Sequence, residues 1–419
     1  MLNGQDIVCV SSIEWGFLWQ GHQEIASRLA RAGNRVLYIE NTGVRSPGLK
    51  DAGRVASRFG QWLAARRSHG VRCVAPGIYV CSPLVLPPFG TRWQKRFNRR
   101  FLLPAVRRAA RRLGMRDVVL WTYLPTDTAF EITRFFKTRR GVTVYYCVAD
   151  FAQLTPQARQ LEASEKAVCR ASDLIFAQGP ELAAHCRRWN ENVHIFPFGV
   201  NLDAFPFDPS PDHNRQNILS SLPRPIMGYV GGVHRHMDFK LLAQMARARP
   251  DWSWVFVGAL QADAGELADL PNVHLLGQKP HDALADYIRA FDVCLVPYVS
   301  SAFTDTVVPT KINEYLAVGQ PVVATRIPAV HAFNEQHDIL LTASNEPESF
   351  LAAIEAALGG PRDAATRQRR REVATLGDWQ ARLEAMSDLI QLELDKKASP
   401  DHGTKMRANA MRKAGDSAT

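Results

Sequence analysis

A lysine and a carboxylate stand three residues apart in Asp305-Thr-Val-Val-Pro-Thr-Lys-Ile-Asn-Glu-Tyr-Leu-Ala-Val-Gly-Gln-Pro-Val-Val-Ala324, flanked by apolar runs. Residues at that spacing share nearly one face of a helix, so Lys311 and Glu314 are expected to point the same way. An ammonium there meets phosphate oxygens, and a carboxylate accepts hydrogen bonds from two ribose hydroxyls. Together they read as a grip on a nucleoside diphosphate. Pro309 and Thr310 open the helix, where proline's missing N–H costs nothing and the positive end of the dipole favours an anion. An ordinary surface ion pair on a crossover helix has the same spacing.

The elements that must position this pair are legible around it. Val293-Cys-Leu-Val296 and Val322-Val-Ala324 are short apolar runs of the buried-strand kind, which makes the Lys311 helix a βαβ crossover starting at the sheet's carboxyl edge. Upstream, the strand Pro225 to Val230 leads into Gly231-Gly-Val-His-Arg-His-Met-Asp238. Gly231 and Gly232 allow close backbone approach to phosphate, and Arg235 is placed to neutralise a diphosphate leaving group. A plain turn with Asp238 as helix N-cap fits the same string. In the first half, Trp15, Gly16, Trp19 and His22 follow the first strand. Stacking of the two tryptophans on a sugar or lipid-linked acceptor competes with simple burial. Asp150 follows the strand Thr143 to Cys147, where a carboxylate could cap a helix.

Read coarsely, strands and helices alternate from Asp6 to Ile195 and again from Pro225 to Leu341, the rhythm of two doubly wound parallel sheets. The fold class is therefore α/β, with ligands expected at strand carboxyl ends. The expected division is 1–200 for the first domain, a proline-rich linker over 201–225, a second domain over 226–377, a helix over 378–397 and a disordered tail over 398–419.

Several segments resemble, in order, those of nucleotide-sugar-dependent glycosyltransferases of the GT-B fold. Pro309-x-Lys311-x-x-Glu314 with Gly319-x-Pro-Val-Val resembles their donor segment. Ile195-Phe-Pro-Phe-Gly199-Val-Asn201 is similar to their interdomain segment, and Tyr229-Val-Gly-Gly232 to the strand that opens their donor domain. Glu14-Trp-Gly-Phe-Leu-Trp-Gln-x-His22 with Val36-Leu-Tyr-Ile-Glu40 resembles a bacterial subgroup that includes teichuronic-acid and exopolysaccharide enzymes. The resemblance implies two Rossmann-like domains facing across a cleft, with the donor held by the second and the acceptor by the first. It implies a final helix returning to brace the first domain, base contacts near Gly277, and active-site polar groups at Tyr123, Asp127 and Asp150, with Asp150 the carboxylate candidate for acceptor activation or sugar-hydroxyl binding. Retaining members often carry Glu-x7-Glu; here Thr306 occupies the first position, so the stereochemical outcome does not carry over.

Composition narrows the rest. The chain has 419 residues, 46% hydrophobic and 22% charged, and no apolar run of bilayer-spanning length. Its start lacks a basic n-region, so no cleaved signal peptide is expected and the compartment is the cytoplasm, with a peripheral position at the inner face of the membrane. The seven cysteines are scattered, with no paired CxxC spacing, and read as reduced thiols. Much of the net charge of +10 falls in Thr91 to Gly114, where Trp93, Phe97, Phe101 and Leu102 alternate with arginines. That is a basic amphipathic helix, either packed on the sheet or touching anionic lipid. No nucleic-acid-binding pattern is present. The resulting expectation is metal-independent sugar transfer from a UDP- or GDP-linked donor to a glycan or lipid-linked acceptor, with no cofactor. A sugar-nucleotide epimerase and a noncatalytic binding partner are the alternatives; a dehydrogenase lacks its Gly-x-Gly-x-x-Gly.

Overall fold

A computed structural model describes residues 1–11, 13–16, 19–40, 71–83, 92–154, 158–208, 218–301, 303–306 and 309–399. Two compact units emerge, one running to Phe196 and resuming at Gln380, the other spanning Pro197–Trp379.

The first unit opens with β1 (Asp6–Val10), α1 (Gly21–Arg31) and β2 (Arg35–Ile39). The first helix buries Ile25, Ala26 and Leu29, one stripe at helical spacing, and a Gln20–Gln23 capping box satisfies its start. A hairpin, β3 (Arg72–Ala75) and β4 (Ile78–Cys81), precedes α2 (Arg92–Arg112). Then come β5 (Val119–Thr122), α3 (Asp127–Phe136), β6 (Val142–Cys147), a 3-10 turn (Phe151–Leu154), α4 (Ala158–Ala171), β7 (Leu174–Ala177), α5 (Pro180–Arg187) and β8 (Val193–Ile195). The strands form one sheet in the order β3-β4-β2-β1-β5-β6-β7-β8. All neighbours are parallel except β3, which pairs antiparallel with β4. That edge strand was not expected: Arg72-Cys-Val-Ala75 is too short and polar to read as a strand alone.

The second unit contains β9 (Ile226–Val230), α6 (Phe239–Ala248), β10 (Ser253–Val257), β11 (Val273–Leu275), α7 (Leu284–Ala290), β12 (Val293–Val296), α8 (Lys311–Ala317), β13 (Val322–Thr325), α9 (Pro328–His337), β14 (Leu341–Ala343), α10 (Pro347–Gly359) and α11 (Ala364–Thr375). Its sheet is parallel throughout, in the order β11-β10-β9-β12-β13-β14. β9, β10, β12 and β13 are buried along their whole length, which is why they read as unbroken apolar runs. Neither α9 nor α11 was anticipated; Arg-rich α11 buries only Arg370 and Ala374.

The units do not part in the proline-rich stretch. Val200 and Phe205 are core residues of the second unit, Val200 bridges to Asp378, and Leu219 packs beneath them. Residues 197–208 thus fold with the second unit because their apolar side chains are buried there; 209–217 lie outside the described residues. The last helix, α12 (Trp379–Ala398), belongs from Gln380 to the first unit. Lys397 Nζ reaches Asp173 at 2.6 Å and the Gly141 carbonyl at 2.7 Å, and Glu393 accepts from Asn192 at 3.1 Å. The tail expected from 398 lies outside the described residues from 400 onward.

The cysteines among the described residues are free thiols, and all but Cys73 are buried. Cys147, Cys186 and Glu165 bring ligand-type atoms within 4.8 Å of one another. Glu165 is already engaged, accepting from the Tyr145 hydroxyl at 2.8 Å and meeting His185 at 2.9 Å.

Candidate active site

In the second unit the strand order reverses between β9 and β12, and the crevice at that point is where open α/β sheets bind ligands. Three side chains from three elements converge there. Tyr229 is the penultimate residue of β9, Tyr298 follows β12, and Lys311 begins α8. Lys311 Nζ donates to the Tyr298 hydroxyl at 2.5 Å and lies 5.2 Å and 5.0 Å from the Tyr229 and Tyr298 ring centres. The ammonium thus sits at the hydroxyl end of Tyr298, nearly in the plane of that ring, and within cation–π distance of the Tyr229 ring. Gly231, at φ +133°, makes room for it: a Cβ there would sit 3.2 Å from Lys311 Cε and 3.3 Å from the Tyr229 hydroxyl oxygen.

The supports are themselves fixed. The Tyr229 hydroxyl donates to the Gly232 carbonyl at 3.0 Å, and the Tyr315 hydroxyl on α8 accepts the Val230 N–H at 2.8 Å. Asn345 donates to the Tyr298 carbonyl at 2.9 Å and to Asp238 Oδ2 at 3.0 Å. Asp238 caps α6 by accepting the Leu241 N–H at 2.9 Å, so the capping reading of that aspartate describes its contacts.

Glu314 lies half-buried one turn beyond Lys311; burial raises its carboxyl above the ordinary range while Lys311 pulls it down. Pro309 is buried before the helix, and Thr310 is its N-cap without a side-chain bond. The Pro309 and Thr310 carbonyls accept the Ile312 and Asn313 N–H groups, each at 3.1 Å. The anion-binding N–H groups expected from Pro309 onward are therefore partly consumed by a tight first turn, and α8 is only seven residues long. The positive charge at this edge comes from Lys311 itself.

Arg235 is exposed in the loop after β9 and makes no ion pair among the described residues. Sequence reasoning gave His234 no role. Its ring centre is 5.6 Å from that of Tyr298, and burial, with Lys311 adding to it, holds its imidazole down to about 4. It is neutral at neutral pH and leaves the local charge to Lys311. Tyr298 was also missed, although its position just past the carboxyl end of an apolar strand is where such sheets place ligand contacts. Gly277, exposed at the end of β11, accepts the Gly258 N–H at 2.9 Å and has open space where a side chain would stand. Gly258 in turn packs its Cα on Gly231, where a Cβ would fall 1.8 Å from the carbonyl oxygen. Backbone without side chains thus rims the ends of β9, β10 and β11. Thr306 closes a short 3-10 turn, and its side chain is outside the described set.

In the first unit the order reverses between β1 and β5. Glu40, buried at the end of β2, orders the loop after β1: its Oε2 accepts the Trp15 N–H at 2.7 Å and its Oε1 accepts the Ser82 hydroxyl. Trp15 is half-buried, with its ring edge-on to Tyr38 at 5.2 Å, and Gly16 is exposed. Trp19 is 40% exposed, and its indole donates to buried Glu24 at 2.8 Å. His22 and Tyr123, expected on an acceptor-facing surface, instead lie in the core with ring centres 3.9 Å apart. Burial holds His22 down to about 3. Asp127 accepts the Ser164 hydroxyl and ties α3 to α4. Asp150 is half-buried; its Oδ1 accepts the Ala152 N–H at 3.0 Å, bracing the 3-10 turn, while Oδ2 meets Gln153 at 3.4 Å.

Residues 224–359 match the model of glycosyl transferases group 1. TuaH of Bacillus subtilis (strain 168), a protein named for a glycosyltransferase role in teichuronic acid biosynthesis, is 31% identical over 194 residues, 45% of this chain and 48% of that protein. The match thus spans about half the relative's length. Among solved structures, sucrose-phosphate synthase from Thermosynechococcus elongatus aligns with TM-score 0.70 and 19% identity over 94% of this chain and 100% of that one. Anabaena HepE in complex with UDP aligns with TM-score 0.65 and 12% identity over 92% and 99%. Those identities carry the fold alone. Residues 224–359 are thus similar in sequence to the group 1 glycosyl transferases, and the two Rossmann-like parallel sheets give the chain the GT-B fold of its structural neighbours.

Proposed function

We propose that this protein transfers a glycosyl group from a nucleoside diphosphate-sugar, UDP- or GDP-linked, to a glycan or lipid-linked acceptor in the synthesis of a bacterial surface polysaccharide. The observation that carries the reading is the Lys311 ammonium, fixed by Tyr298 and Tyr229 at the switch point of the C-terminal sheet. Transfer breaks the bond between the anomeric carbon and the diphosphate oxygen, and the departing diphosphate gains negative charge. A cation already oriented toward that oxygen stabilises the transition state without reorganising at the moment of reaction. Lys311 supplies the fixed charge and Arg235 a mobile second one, in a mechanism that uses no metal and no cofactor. Glu314 holds the ribose hydroxyls, and Gly231, Gly232 and Gly277 admit the nucleotide close to the backbone. Asp150, with Oδ2 only weakly engaged, accepts the proton of the attacking acceptor hydroxyl. Trp15, Gly16 and Trp19 serve the acceptor. HepE's complex with UDP supports a uridine donor, and the naming of TuaH supports a surface-polysaccharide product.

No helix among the described residues is long and apolar enough to cross a membrane. We place the enzyme at the cytoplasmic face as a peripheral protein. The decisive experiment is calorimetric titration with UDP, GDP, dTDP, ADP, CMP and NAD, followed by a sugar-transfer assay with the nucleotide that binds. Binding of one nucleoside diphosphate with transfer to an acceptor is the expected result. Binding of NAD alone would overturn the proposal, as would conversion of the sugar nucleotide with no acceptor present.

A further inference from the structure

Helix α2 has two faces, and its packing against the described residues uses one. Asn98, Leu102, Val106, Ala109 and Ala110 are buried, and the four apolar ones belong to the core beneath the sheet. At 100° per residue these side chains cluster on one side of the helix. Trp93, Phe97 and Phe101, spaced four apart, fall on the opposite side. Trp93 is 65% and Phe101 53% exposed, and the successive ring centres are 5.9 Å and 4.4 Å apart. A crossover helix needs no aromatic ladder on its solvent side, so the packing that holds α2 does not account for these residues.

The charge around the ladder is one-sided. Between Arg92 and Arg112 the sequence has eight arginines, one lysine and no acidic residue. Arg96, Arg100, Arg107, Arg108 and Arg111 are exposed. Counter-charge enters from α3, where Glu131 pairs with Arg99 at 2.6 Å. The apolar strip also continues onto α3: Phe135 is 36% exposed, with the Arg107 guanidinium 5.6 Å from its ring centre. Indole and phenyl rings flanked by long basic side chains suit the headgroup layer of a bilayer, with rings seated at the acyl boundary and guanidinium groups on lipid phosphates.

We propose that the outward face of α2 docks on a membrane rich in anionic lipid, with Trp93, Phe97 and Phe101 inserted and Arg96, Arg100, Arg107, Arg108 and Arg111 paired with headgroups. The inference rests on the peripheral placement made under Proposed function and gives it a surface. Aromatic insertion and arginine pairing contribute separately, so the two can be removed separately.

The test is flotation of the full chain with phosphatidylcholine vesicles, with and without about one-third phosphatidylglycerol. The wild type is expected to float with the anionic vesicles and to be released by salt, since screening weakens the arginine contribution. Trp93→Ala with Phe101→Ala is expected to weaken partitioning roughly thirtyfold at every salt concentration. Arg96→Gln with Arg100→Gln is expected to weaken it roughly thirtyfold at low salt and far less at high salt. Both pairs alter exposed side chains, and UDP calorimetry on each variant should match the wild type. Equal flotation of wild type and variants, or none for the wild type, would overturn the proposal. So would a concentration-dependent dimer in sedimentation velocity that the aromatic variant abolishes, since a second copy would then own the face. A loss of UDP binding by the wild type would instead count against the donor reading and leave the vesicle result to stand alone.

Discussion

Lys311→Met tests the donor site most directly. Methionine keeps the length and apolar stem that lie beside Tyr229 and Tyr298 and removes only the charge and donors. Among the described residues the ammonium makes one hydrogen bond, 2.5 Å to the Tyr298 hydroxyl, and is 5.0–5.2 Å from two ring centres. Two of its three protons are then available to phosphate oxygens. A hydrogen bond to a charged partner is worth about 1.5–3 kcal/mol, so UDP binding should weaken about 10- to 150-fold. Loss of the cation–π contact with Tyr229 costs the fold about 0.5–1 kcal/mol, offset by no longer desolvating an ammonium, so thermal midpoints should shift by only a few degrees. Calorimetry at neutral pH gives the affinity, and circular dichroism the midpoint. An affinity within about twofold of wild type, with the fold intact, would refute the assignment, because thermal energy alone spans about that factor. Lys311→Arg sharpens the test: it restores charge without the compact ammonium, so partial recovery is expected.

Tyr315→Phe strands the buried Val230 N–H that its hydroxyl satisfies at 2.8 Å, and should cost about 1–3 kcal/mol in urea unfolding of the second unit; an unchanged midpoint would show that another group takes the proton. Gly258→Ala forces a Cβ to within 1.8 Å of the Gly231 carbonyl oxygen at a φ of +158°, so a loss of more than about 3 kcal/mol or failure to express folded protein is expected, with wild-type stability the contrary result. His22 is held down to about 3 by burial, so the stability of its neutral form is complete above the free imidazole value of 6.5 and is lost as pH falls toward 3. At pH 5 that loss is about 2 kcal/mol, and His22→Phe should remove it; equal pH dependence of urea midpoints in both proteins would sink the argument. Asp150→Asn should keep UDP affinity and lower transfer by about 100-fold or more, as expected for loss of a general base; full turnover would restrict Asp150 to bracing its turn.

The chain itself determined the repeating strand–helix pattern, because buried parallel strands must be apolar on both faces and their crossovers must be amphipathic. Val293 to Val296 and Val322 to Ala324 show this directly. It also put Lys311 and Glu314 at the carboxyl edge, since the start of a crossover helix follows from where its strand ends. Gly231 was named with it as a donor-site residue, but the roles of Tyr229, His234 and Tyr298 around Lys311 were not legible, because these residues come from segments brought together only by the β9–β12 pairing. Burial of His22 against Tyr123 was likewise hidden: both follow strand ends, and β1–β5 pairing with aromatic packing turns them inward. Prolines suggested a linker over 201–225 where Phe205 and Leu219 are core, since local composition carries no record of a distant apolar surface that covers it. For α2 the sequence named the aromatic and basic residues, and the sheet decided which of them it would bury. Periodicity is local and so can be read from residues in order; contacts between elements depend on strand order, which no single segment encodes.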